Sequence, residues 1–149
     1  MFEALALGLA LAQSTPLPMP TPQRLAMVAI ASPRAQLRVQ VARTEAQRER
    51  GLMGVRSLRA HTGMLFVFDT DAPIEFWMKD TLVPLDMIFI GKDGLVRTVF
   101  ANVPVVPVDA PDDRIPRRDG LAKFVLELPA GEAARDGLAR GVRVRGLPG

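Results

Sequence analysis

"FWMKDTLVPLDMIFI", Phe76–Ile90, decides how this chain folds: its apolar residues ask for burial, while Lys79, Asp80, Thr81 and Asp86 resist it. A charge taken out of water costs several kcal/mol unless it is paired, so the four polar groups need a partner, a ligand or an exposed turn. In a strand starting at Leu85, the side chains of Leu85, Met87 and Phe89 point one way and those of Asp86, Ile88 and Ile90 the other. Both faces read as buried, which leaves Asp86 on an apolar face. The expected partner is Arg50, in a structural clamp between helix and sheet; the sharper alternative is a functional acid whose pKa is raised by burial. Just upstream, Trp77, Lys79 and Thr81 alternate on one face. They form either a core tryptophan beside a surface lysine or the wall of a pocket for an anionic or polyhydroxyl ligand.

Outward from this stretch the pattern is strand-like. "LDMIFIGKDG" and "LVRTVFANV" read as a hairpin about a Gly-Lys-Asp-Gly turn. "LAMVAIAS" and "AQLRVQVA" read as two strands, the second with Leu37, Val39 and Val41 alternating against Arg38 and Gln40. "GMLFVFD" is a fully apolar strand that "DTDAP" is expected to end in a turn. "AKFVLELPAGEAARDGL" reads as a strand, a tight turn and one helical turn, and "GVRVRGL" as a closing strand. Thr44 with Gln47 three residues on is a capping-box pattern opening a helix of about two turns, which Gly51 is expected to stop in a left-handed conformation. Four prolines from Pro104 to Pro116 mark a long irregular excursion. The expected fold is mainly β: a compact barrel or sandwich of short, mostly antiparallel strands with one or two short helices.

Composition bounds the rest. A chain of 149 residues, 48% apolar, fits one domain with an ordinary core. The formal charge is only +3, and the basic residues neither cluster nor interleave with exposed aromatics, so no nucleic-acid partner is expected. Cysteine is absent, which removes disulfides, thiol catalysis and thiolate metal sites. His61 is the only histidine and sits in a loop; it is a weak candidate for lining a site, and no metal or other cofactor is expected. The aspartates of "DAPDD" lack calcium-loop spacing. Met53, Met64 and Met78 read as core gap-fillers before a thioether copper site.

The N-terminal run Ala4–Ala12 ends in Ala-Leu-Ala and suits a short export signal, with cleavage after Ala12. Glu3, where a basic residue is usual, argues the other way. The expectation is a periplasmic or secreted protein, with a cytoplasmic one as the alternative, and no transmembrane segment in the mature chain: residues 1–12 a signal peptide, 13–23 a proline-rich linker, and 24–149 a single β-rich domain.

"RGLMGVRSL", "GMLFVFD", "FWMKDTLVPLDMIFI", "VRTVFANVPV" and "VLELPAG" occur here in the order and approximate spacing of the bacterial and archaeal domain of unknown function 192 family. The chain resembles that family over roughly residues 36–144. The resemblance implies a compact, mainly β domain, often behind a signal peptide, and brings no assigned activity. "PDDRIPRRDG" departs from the family pattern.

For function, three classes stand beside one another. The first is a non-catalytic ligand-binding or accessory domain of the cell envelope, with Trp77, Lys79, Thr81, Arg50, Asp86 and His61 as candidate ligand contacts. The second is a structural or interaction domain without a ligand. The third is a carboxylate-dependent hydrolase or lyase using Asp86 or Glu127. Glu127 shares a face with Lys123 and Val125, so half-exposure would satisfy it.

Overall fold

The computed structural model describes residues 18–149; the export signal and the first part of the linker expected from the sequence, residues 13–17, lie outside this range. Six strands form one sheet: β1 (Met27–Ala31), β2 (Gln36–Ala42), β3 (Thr62–Trp77), β4 (Leu85–Ile90), β5 (Val96–Val103) and β6 (Arg117–Pro129). Two short helices accompany them, α1 (Glu45–Arg50) and α2 (Glu132–Arg135). The strand order is β1-β2-β3-β6-β4-β5, antiparallel throughout except for β2 beside β3. That parallel pair needs a crossover, and α1 lies within it. The mainly β fold, its antiparallel bias and its two short helices are as the sequence indicates. The barrel or sandwich is not: the sheet is open. The C-terminal segment pairs with it through isolated bridges, Ala31 with Arg145 and Leu95 with Arg143, and forms no regular ladder, so "GVRVRGL" is not the closing strand it reads as.

Strict two-residue alternation separates two cores, one on each sheet face. Leu65, Ile88, Leu126 and Leu128 face one core, completed by Ala133 of α2 and by Leu138 and Val144. Met64, Phe66, Met87, Phe89 and Val125 face the other, completed by Leu52 just after α1. All six residues of β4 are buried, as the reading of Leu85–Ile90 requires.

The sequence misplaces two boundaries. "DTDAP" does not end a strand; β3 runs through it, and the irregularity is absorbed as a register shift against β6 between Val67 and Ala72. "PRRDG" belongs in part to β6, which starts at Arg117. At the start of β3, Gly63 is required by close approach, since a Cβ there would lie 1.9 Å from the Glu127 carbonyl oxygen. The capping box forms as read: Thr44 Oγ1 accepts from the Gln47 amide at 3.2 Å, and Gln47 Oε1 accepts from the Thr44 amide at 3.2 Å. Gly51 has a positive φ of 46° with ψ −132°, outside the left-handed helical region but still glycine territory. Gln23 Nε2 donates to the carbonyls of Gln47 at 2.8 Å and Gly51 at 3.0 Å, so the end of the proline-rich stretch is fastened to the C-terminal end of α1.

A cleft over a buried glutamate

Glu127 sits on β6 between Met64 of β3 and Met87 of β4, its direct cross-strand neighbours. It is 4% exposed, not half-exposed as its strand pattern allows, because β6 is a central strand whose both faces are covered. Among the described residues its carboxyl has no ion-pair or hydrogen-bond partner, and burial pushes its pKa up from 4.5 to about 8. At neutral pH it is therefore a protonated acid, able to donate one hydrogen bond and accept others.

Above it opens a cleft of about 330 Å³. Aromatic rings wall it. Phe76 meets Phe66 edge-on with centroids 4.8 Å apart, Phe68 lies 6.3 Å from Phe76, and Trp77 lines the same space. From α1 come Arg48 and Arg50, and from the segment after β3 come Lys79 and the buried Thr81. Four of the candidate ligand contacts, Arg50, Trp77, Lys79 and Thr81, thus share one cleft with Glu127. Trp77 ends β3, so Lys79 and Thr81 reach the cleft from a turn rather than by strand alternation.

The cations of the cleft are already engaged. Lys79 Nζ is 2.9 Å from Asp112 Oδ1, a residue of the short 3-10 turn inside the proline-rich excursion. Lys79 Nζ and Arg117 Cζ lie 5.0 and 4.9 Å from the Trp77 ring centroid. Arg48 lies 4.8 Å over Phe68 and donates to the Val67 carbonyl at 3.0 Å. Arg50 donates to the Thr21 carbonyl. Glu45, Glu49 and Glu75 also line the cleft, so its three cations are matched in formal charge by three carboxylates.

Asp86 and His61 lie elsewhere. Asp86 is fully buried on the opposite sheet face, beside Leu128, and it does not pair with Arg50. Its Oδ1 accepts from the Asn102 amide at 2.8 Å and its Oδ2 from the Ala133 amide at 2.8 Å. The expected clamp is replaced by a cap: Gly131, at the N-cap of α2, has no side chain, and Asp86 supplies the acceptor across space. The first amide belongs to a bulge, where Ala101 and Asn102 of β5 stand opposite Asp86 alone. Because Asp86 and Glu127 face opposite sides of the sheet, they cannot act as a carboxylate pair. His61 packs its ring against Glu132 and Asp136 of the α2 region.

The phenylalanine rings of the cleft and Arg48 of α1 are absent from the sequence-based candidates, which include Arg50 alone from that helix. Phe66, Phe68 and Phe76 read as core, and their edge at the cleft depends on where α1 crosses the sheet. Among the described residues, no helix is long and apolar enough to cross a membrane.

Residues 27–146 match the model of the domain of unknown function 192 family, described as an uncharacterized ACR, and the chain belongs to that family. Two solved structures are similar to it. One is a Sinorhizobium meliloti 1021 protein provisionally described as a transcription regulator: 34% identity, 84% of this chain and 97% of that one covered, TM-score 0.73. The other is a protein of unknown function from Novosphingobium aromaticivorans DSM 12444: 33% identity, 81% and 86% covered, TM-score 0.67. No curated protein matches the chain.

Proposed function

We propose that this domain is a non-catalytic binding module of the cell envelope whose cleft takes a small, neutral polyhydroxyl ligand. The observation that carries the reading is Glu127: a buried carboxyl with no partner among the described residues, facing a cleft walled by aromatic rings. A purely structural domain would be expected to pair that group internally. Aromatic faces suit the C–H faces of a sugar-sized ligand, while the Glu127 carboxyl and the Thr81 hydroxyl suit its hydroxyls. Of the two ligand classes that the sequence leaves open, the balanced charge of the cleft favours the neutral one over the anionic one. The envelope location rests on the Ala4–Ala12 run, and intact mass of protein from fractionated cells checks it: cytosolic protein with an uncleaved N-terminus removes that part of the reading. A nucleic-acid role is not proposed. Arg97, Arg117 and Arg135 are paired with Asp71, Glu75 and Glu132, and the large apolar side chains exposed among the described residues include no aromatic.

The test is calorimetry or thermal shift with a panel of monosaccharides, amino sugars, sugar phosphates and small carboxylates. Trp77→Ala should weaken binding by roughly tenfold, about 1.4 kcal/mol, through lost stacking and contact. Lys79→Met should change affinity less than about threefold. It should also cost under about 1 kcal/mol of stability, because the Asp112 pair it removes is exposed. If Lys79→Met weakens binding more than Trp77→Ala, the ligand is anionic. A panel in which nothing binds removes the proposal, and turnover of any bound compound replaces it with the enzyme reading, Glu127 serving as a lone general acid.

A further inference from the structure

The loop before β3 and the turn of α2 bring together a nitrogen and two buried carboxylates. His61 Nδ1 lies 3.0 Å from Glu132 Oε1 and 3.1 Å from Asp136 Oδ1, with Asp136 Oδ2 at 3.3 Å. Glu132 and Asp136 are both buried, and one helical turn separates them, which puts their carboxylates on the same side. Three carboxylate oxygens therefore converge on a ring nitrogen that carries at most one hydrogen. Asp136 has no other side-chain partner among the described residues. Whichever oxygen that hydrogen serves, at least one oxygen of the buried Asp136 carboxylate is left without a donor among the described residues, whereas Glu132 keeps the His61 backbone amide. Arg135 offers no remedy to Asp136, since it is 3.4 Å from the far oxygen of Glu132 and its side chain is 71% exposed.

We propose that His61, Glu132 and Asp136 form a binding site for one divalent transition-metal ion of the zinc kind. A ring nitrogen about 3 Å from each carboxylate, with the three donor atoms all within 4.8 Å of one another, fits ligands placed about 2.0–2.2 Å from a shared cation. Two carboxylates balance the charge of a divalent ion, and the imidazole nitrogen favours zinc-like metals over magnesium or calcium. Glu132 is oriented from both sides, since its Oε1 accepts the His61 backbone amide at 3.1 Å and Arg135 lies beside Oε2. The half-exposed ring leaves an open side for water and for metal entry. The sequence alone argues against a metal because zinc sites draw mainly on several Cys and His. The carboxylates that replace them lie about seventy residues beyond His61, on an element whose position no local pattern gives.

The untagged chain suits a direct experiment because His61 is its only histidine. On titration with zinc chloride, the imidazole proton signals should move and saturate at one equivalent, and cobalt(II) should broaden or shift the same signals. Calorimetry should show Asp136→Asn and Glu132→Gln weakening zinc by about 10–100-fold. His61→Ala should do the same with the fold retained, since the ring is half exposed. Imidazole signals unmoved by excess zinc, or equal zinc affinity in wild type and Asp136→Asn, overturn the site. They leave the His61 ring as a hydrogen-bonding bridge between two buried carboxylates. The wild-type spectra decide the matter even if a carboxylate variant fails to fold.

Discussion

Replacing Asp86 by alanine is expected to remove about 3–5 kcal/mol of stability, a large part of what holds a domain of this size. The carboxylate accepts two amides at once, that of Asn102 in the β5 bulge and that of Ala133 in α2. Each hydrogen bond to a charged acceptor contributes about 1.5–3 kcal/mol, and the alanine variant leaves both donors beside an apolar core. Asn102 also holds a positive φ of 53°, a conformation that loses its anchor with Asp86. Asp86→Asn should fall between the two, because one side-chain oxygen serves one amide while the new NH2 group faces the other. Asp93→Ala, which removes an acceptor 3.1 Å from the Leu95 amide in an exposed turn, should cost about 0.5–1 kcal/mol. Urea midpoints of these variants measure the order. Arg50→Ala should be small and additive with Asp86→Ala; strong coupling between the two would restore the clamp and remove the cap.

That result marks where the sequence stops being legible. Alternation identifies Asp86 as a buried carboxylate on an apolar face, and the structure agrees. Its partners are backbone amides at Asn102 and Ala133, which carry no side-chain signature, so the nearest plausible cation, Arg50, is a wrong guess of an instructive kind. The capping box of α1 and the β4–β5 hairpin are local and therefore readable. The passage of β3 through "DTDAP" is not, because pairing with β6 overrides the turn preference of those residues. Trp77, Lys79 and Thr81 do gather in one place, though a turn and not a strand face delivers Lys79 and Thr81. Glu127 is the clearest loss. Its neighbours in sequence, Leu126 and Leu128, both face the other core, so alternation alone gives its face a half-exposed look. Only the neighbours across the sheet, Met64 and Met87, reveal how dry its position is.

Glu127→Gln is expected to stabilise the domain at alkaline pH and to leave it nearly unchanged in acid. The sign follows from proton binding. The native carboxyl ionises near 8, the unfolded one near 4.5, so between those values the folded state holds a proton that the unfolded state has released. Stability from this group is fully present below about pH 4.5 and is lost as pH rises through about 8. At roughly 1.4 kcal/mol per unit, the total loss is on the order of 4–5 kcal/mol. Glutamine keeps the shape and the hydrogen-bonding groups without the titration, so its stability should stay flat where that of the wild type falls. Urea unfolding of both proteins from pH 4 to 9 reads the difference directly. It should be small in acid, open across the neutral range and level off in alkali. Parallel curves would mean that Glu127 is solvated or paired in the native protein, and the cleft would then lose the group on which its proposed function rests. Ligand affinity supplies an independent second readout. A neutral carboxyl that donates to a ligand hydroxyl loses that donor on ionising, so wild-type binding should weaken above about pH 8, while that of Glu127→Gln should not.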